Sequence, residues 1–149
     1  MENDKKHIST IGQRIPRADS ALIASGEAQY LDDIRIPGML HGRILRSPHP
    51  HAKIRSIDTR KAERVLGVKA VITAADTPKI PFCHMPVTPN KLPLCSDKVR
   101  FIGDEVAAVA ALDVDIAEEA VSLIQVEYEI LPAVFDPLEA MKPDAPTMR

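Results

Sequence analysis

The chain has 149 residues, 45% of them apolar, which is enough for one domain of ordinary size with a true core. Its 19 basic residues nearly balance its 21 acidic ones, so no basic face for nucleic acid is implied, and the scattered aromatics (Tyr30, Phe82, Phe101, Tyr128, Phe135) offer no base-stacking surface. Cys83 and Cys95 are too few for a disulfide framework or a four-ligand metal site, no apolar run is long enough to cross a bilayer, and the charged start MENDKKHIST lacks the apolar core of a secretion signal; a reducing, cytoplasmic setting is expected.

Residues 1–10 are polar and aperiodic, and a mobile lead-in is expected there. Gly12, Pro16 and Asp19 point to an extended segment with turns over 11–23, and 26–31 alternates weakly as a strand before the Pro37-Gly38 turn. From Met39 to Arg46 the alternation is clearer. Leu40, Gly42, Ile44 and Arg46 share one side of a strand, and Met39, His41, Arg43 and Leu45 share the other.

Ser47-Pro48-His49-Pro50 lacks two backbone donors and must be a corner, with an edge-like strand following over 52–58. Asp58 or Thr59 can cap a helix whose apolar stripe is Ala62, Val65 and Leu66 and whose stop is Gly67; the β-branched run 68–73 is then a buried strand. One further turn is expected over 74–78. Residues 79–96 carry four prolines without a period, and loops of that length are more often functional than idle.

Strands over 99–102 and 106–111 flank a Gly103-Asp104 turn. Asp113 or Asp115 caps the clearest helix, with Ile116, Ala120, Leu123 and Ile124 on one face. A strand over 126–130 and a short helix with an Asp136-Pro137 start complete the pattern, and 142–149 has the composition of a linker. The class is α+β, with a mixed sheet and two main helices.

Six ordered words carry a family resemblance: G-x-x-x-P-R at 12–17, SGEAQYLDD at 25–33, PGMLHGRILRSPHPHAKI at 37–54, SIDTRKAERVLGVKAVITAADTP at 56–78, DKVRFIGDEVAAVAA at 97–111 and AEEAVSLIQVEYEILPAVFDPLEAM at 117–141. In that order they resemble the α/β-hammerhead domain of the xanthine dehydrogenase and aldehyde oxidase family, the N-terminal domain of the molybdenum-binding large subunit. The loop over 81–94 looks most like the 4-hydroxybenzoyl-CoA reductase branch. At position 105 the family often has proline where this chain has Glu105.

The resemblance implies a hammerhead domain over 11–141, a hairpin within it, and a linker over 142–149 toward a molybdopterin-binding region. It also implies a molybdenum hydroxylase of aromatic, heterocyclic or aldehyde substrates, with molybdopterin, iron–sulfur clusters and FAD carried on partner domains or subunits. The role expected for this chain is structural, lining a substrate funnel without being catalytic alone. The alternative is a stand-alone binding or assembly module, or a split subunit, without redox chemistry of its own. If further domains pack on the chain, an exposed apolar patch near 39–45 or on the 79–96 loop is expected.

No catalytic, cofactor or metal residue is assigned. Within the long loop, Phe82, His84, Met85 and Leu92 are the substrate-funnel candidates, an apolar lining with a polar point suited to a planar group. His49 and His51 stand at a spacing that turns both rings one way on an extended chain, but two imidazoles are too few for a tight metal site unless His41, His84 or a partner contributes, and bonds to backbone or a neighbouring domain are the plainer role. Nothing near Cys83 or Cys95 lowers a thiol pKa. Asp104-Glu105 reads as a solvated turn pair, Ser25 has no His–Asp partners, and the separated glycines form no phosphate cradle.

Overall fold

The computed structural model describes residues 12–82 and 91–147, in two compact units, Met1–Pro37 and Gly38–Arg149. The first holds a short helix, α1 (Ser20–Ser25), and a single 3-10 turn, Leu31–Asp33. This corrects two expectations, an extended run over 11–23 and a strand over 26–31. Ser20–Ser25 fits helix after Pro16 and Asp19 have passed, and Gly26 ends it at φ +77, with its N–H and that of Glu27 closing on the Ile23 and Leu22 carbonyls. Residues 30–33 close on themselves: the Tyr30 N–H donates to the Asp33 carboxylate at 2.9 Å, and the Asp33 N–H returns to the Tyr30 carbonyl at 3.0 Å.

In the second unit the strands are β1 (His41–Arg46), β2 (Ala52–Asp58), β3 (Val68–Thr73), β4 (Lys98–Val99), β5 (Glu105–Ala111) and β6 (Gln125–Ile130). The helices are α2 (Arg60–Glu63), α3 (Val114–Leu123) and α4 (Pro137–Ala140). The α+β class stands, but the expected single mixed sheet is two three-stranded sheets, ordered β1-β5-β3 and β4-β2-β6. Every ladder among the described residues is antiparallel. No hairpin joins β4 to β5: the Gly103-Asp104 turn hands the chain from one sheet to the other, as the Ser47–His51 corner does between β1 and β2.

The core lies between the first sheet and α3. Ala62, Ala107, Val109, Ala120 and Ile124 form its buried centre, with Leu45, Val68 and Val71 against them. Alanines at 107, 117 and 120, all fully buried, let the helix lie close to β5. The Asp113 carboxylate caps α3 by accepting from the Asp115 N–H at 2.7 Å. At α2 the side chain that caps is Asp58, not Thr59. It accepts from the Arg60 N–H at 3.1 Å and from the Arg60 guanidinium at 2.6 and 2.9 Å, contacts that hold its carboxyl well below the usual carboxylate range. A smaller cluster, Ala52, Val99 and Val106, anchors the second sheet.

The second sheet shows the outward face of a solvated antiparallel sheet. Lys53 pairs with Glu129, Arg55 reaches the same carboxylate, and the Ser56 hydroxyl donates to Glu127 at 3.2 Å.

Candidate functional site

The two corners singled out in the sequence meet in space. The Ser47 N–H donates to the Asp104 carbonyl at 2.9 Å, and the Gly103 N–H donates back to the Ser47 carbonyl at 2.8 Å. Gly103, at φ +95, supplies the left-handed residue this turn needs. The Ser47 hydroxyl donates to the His49 carbonyl and accepts the His49 N–H, both at 3.0 Å, a local turn that replaces ladder bonds beside proline. Ser47 and Asp104 are 2% and 6% exposed.

Asp104 is therefore not the solvated turn residue that its sequence neighbourhood implies. Its carboxylate accepts the Arg100 N–H at 2.9 Å, closing the turn from within. Glu105 points elsewhere, to Arg46 at 3.0 Å, so the two carboxylates do not act as a pair. Glu105 is also the first residue of β5, a position where a proline is tolerated.

The histidines do not share a ligand position. Bends at 48, 50 and 51 break the extended chain that would align them. His49 packs edge-on against the Tyr128 ring, with centroids 5.0 Å apart. His51, 3% exposed, places Nδ1 2.6 Å from the Pro132 carbonyl. A carbonyl only accepts, so Nδ1 carries the hydrogen, while Nε2 is buried with no hydrogen-bond partner among the described residues. The backbone role expected for these histidines is thus the one His51 takes. Among the described residues no three His, Cys, Asp or Glu side chains converge on a point where a metal ion could sit.

Cys95 lies beside this knot as a free thiol. Burial, with Asp104 close by, pushes its pKa up to about 12, and burial also raises the Tyr128 hydroxyl. The chemical meaning is an inert thiol. Alkylation of Cys95 by iodoacetamide at pH 8, followed by mass spectrometry, is expected to run at least roughly a hundredfold slower than for a free cysteine, because the thiolate is the nucleophile. Labelling at the free-cysteine rate would refute the burial argument. The same shift sets a stability trend: a raised folded-state pKa favours the fold below pH 9, and that contribution disappears as pH climbs toward 12.

Of the funnel candidates, Phe82 and Leu92 are described, while His84 and Met85 lie outside the described residues, as does Cys83. Phe82 and Lys91 form a two-bond bridge, N–H to carbonyl in both directions at 2.8 and 3.2 Å, which closes the loop at its base. Phe82 is exposed and Leu92 half-buried. Lys91 places its ammonium 4.8 Å from the centre of the Phe101 ring, tying the loop base to the Arg100–Asp104 turn. Sequence reasoning missed Lys91, Phe101 and Ser47. Only Ser47 had a local signal, a hydroxyl directly before a Pro-x-Pro corner.

Comparison with known proteins accounts for this architecture. A family model described as "Aldehyde oxidase and xanthine dehydrogenase, a/b hammerhead domain" matches residues 25–132. The large chain of carbon monoxide dehydrogenase from Afipia carboxidovorans is 43% identical over 93% of this chain and 17% of its own length. A subunit of a probable xanthine dehydrogenase from Bacillus subtilis is 46% identical over 87% of this chain, again 17% of its own length. In a crystal structure of Cu,Mo-CO dehydrogenase the matching region superposes with a TM-score of 0.78 at 40% identity, covering 91% of this chain and 17% of that one. The chain spans about a sixth of the length of these relatives, and it belongs to the aldehyde oxidase and xanthine dehydrogenase family, as an a/b hammerhead domain.

Proposed function

We propose that this chain works as the hammerhead domain of the large subunit of a molybdenum hydroxylase, a rigid wall of the substrate path without redox chemistry of its own. The observation that carries this is the family match over 25–132. Beside it stands a polar knot whose groups are all turned inward: Asp104 holds a backbone N–H, His51 a carbonyl, and Cys95 keeps its proton. Such groups fix a shape, and the unpartnered Nε2 of His51 is buried.

The described residues do not fit a pterin cofactor or a metal. No three-ligand cluster is present among them, and the five positive-φ glycines stand apart from one another and form no phosphate cradle. Molybdopterin, iron–sulfur clusters and FAD therefore belong, in this proposal, to partner domains or subunits, in the length that the relatives carry beyond the matched region. The proposal takes 11–141 as the domain, 142–149 as a linker, and a cytoplasmic setting for the free thiol of Cys95. No helix among the described residues is long and apolar enough to cross a membrane.

The substrate path would be touched by Phe82, His84, Met85 and Leu92. Support comes from the Phe82–Lys91 bridge, which fixes the position of Phe82 beside Leu92 in the described part of the chain. The branch resembling 4-hydroxybenzoyl-CoA reductase rests on the 81–94 words alone.

Metal analysis decides the division of labour. The purified chain alone is expected to hold no stoichiometric molybdenum and to oxidise no aldehyde or heterocycle, whereas the assembled enzyme containing it does both. Stoichiometric molybdenum with hydroxylase turnover in the lone chain would overturn the proposal.

A further inference from the structure

The centre of the outward face of the first sheet is aliphatic where an open sheet should be polar. On β1 the outward residues are Gly42, Ile44 and Arg46, while Leu45 on the other side packs into the core. Their register partners continue the face across the sheet: Gly42 pairs with Ala110 and Ala110 with Ala70, and Ile44 pairs with Ala108 and Ala108 with Ile72. Ile44 and Ile72 are 44% and 39% exposed, and Leu40 and Leu112, which flank the His41–Ala111 end of the ladder, are exposed as well.

The second sheet of the same unit provides the comparison, because its outward face is covered with paired charges. Antiparallel sheets that face water alternate apolar-in and polar-out; the second sheet obeys that rule and the first breaks it across two successive ranks of residues. A contiguous apolar surface of this kind marks an interaction site, not a solvent face. Nothing inside the domain requires glycine at 42: a Cβ there would meet only the Val109 carbonyl, at an ordinary 3.9 Å.

We infer that this face, Ile44 and Ile72 with the Gly42–Ala110–Ala70 rank, is the docking surface for the remaining domains of the large chain, which meet it through an uncharged aliphatic surface of their own. The inference rests on the function proposed above and deepens it. The matched relatives carry more than four-fifths of their length outside the shared region, which is ample material to cover the face. Ile44, Ala108 and Ile72 with Gly42, Ala110 and Ala70 carry no charge, which favours an aliphatic occupant over a polar one, and the exposed Lys69 stands at the bulge beside Ala70. Arg46, at the end of the face, is already taken by Glu105 and the Gly103 carbonyl.

Side-chain footprinting tests this. The chain alone, and the assembled molybdenum enzyme containing it recovered from its own host, are each exposed to hydroxyl radicals and read by mass spectrometry. Ile44 and Ile72 are expected to be oxidised in the lone chain and protected by roughly tenfold in the assembled enzyme, as for residues at the centre of an interface. Ile44→Lys, whose ammonium is solvated in the free chain, and Ala110→Leu, which stays apolar but blocks close approach, should each lower the yield of assembled enzyme by roughly tenfold, while Lys53→Ala on the other sheet should not.

Equal labelling of Ile44 and Ile72 in both samples, with the enzyme assembled, overturns the docking face and leaves the proposed function intact. Protection that appears in the lone chain together with a doubled mass assigns the face to a second copy and also overturns it. Failure of any molybdenum enzyme to assemble with this chain removes the proposed function itself, and the docking face with it.

Discussion

Replacing Asp104 by alanine is expected to destabilise the fold by about 2 kcal/mol, read as a lower urea midpoint with an unchanged slope, because a buried hydrogen bond to a charged acceptor contributes more than a neutral one. The carboxylate accepts the Arg100 N–H, and the backbone carbonyl of the same residue accepts from Ser47 across the crossover between the sheets. Loss of the side chain therefore loosens both corners at once. Asp104→Asn retains an acceptor oxygen and should lose about half as much. Asp104 also raises the Cys95 pKa, so Asp104→Asn should speed alkylation of that thiol without unfolding the chain. An Asp104→Ala chain that unfolds at the wild-type urea concentration, with Cys95 as slow as before, would show that the knot does not hold the sheets together.

The second large effect is steric. Ala120 is fully buried on α3, in one cluster with Ala62, Ala107 and Val109, so Ala120→Leu has to force the helix off the sheet or adopt a strained rotamer. Overpacking of this kind costs about 1–3 kcal/mol, and the upper part of that range is expected because alanines supply the contact from both sides. The effect is directional along the helix. Glu118, whose carboxylate is exposed and reaches Arg43 at 2.9 Å, should tolerate Glu118→Ala with a change of less than about 1 kcal/mol. Thermal unfolding of the two variants side by side separates the cases; equal melting temperatures would contradict the packing argument.

What the sequence made legible follows from physical range. Asp113 and the apolar face of 114–123 announce α3 because cap and period are local, and 126–130 alternates for the same reason, within the observed strand Gln125–Ile130. The class and the family words were legible too. The division into two sheets was not, since a strand's alternation reports which faces differ and says nothing about which strand lies beside it. Asp104 read as solvated because turn aspartates usually are, and only the folded position of Arg100 shows otherwise. The helix at Ser20–Ser25 buries no residue, so no apolar stripe marked it among the breakers. The open face of β1 was half visible as a strand with mixed sides. It became a single surface only once Ala108 was seen between Ile44 and Ile72.

The strand order carries a consequence for how the chain is made. Among the described residues, no strand of the second unit pairs with its neighbour in sequence. β5 is the centre of the first sheet and is the fifth strand to emerge, and β2 waits for β4 and β6. A ribosome extruding this domain releases β1, β2 and β3 with no partner available until residues beyond 97 have cleared the tunnel, and long loops must close before any ladder forms. Synthesis, not only stability, is therefore the vulnerable moment for this fold, and the aliphatic strands Ile44 and Ile72 belong to are exposed through all of it.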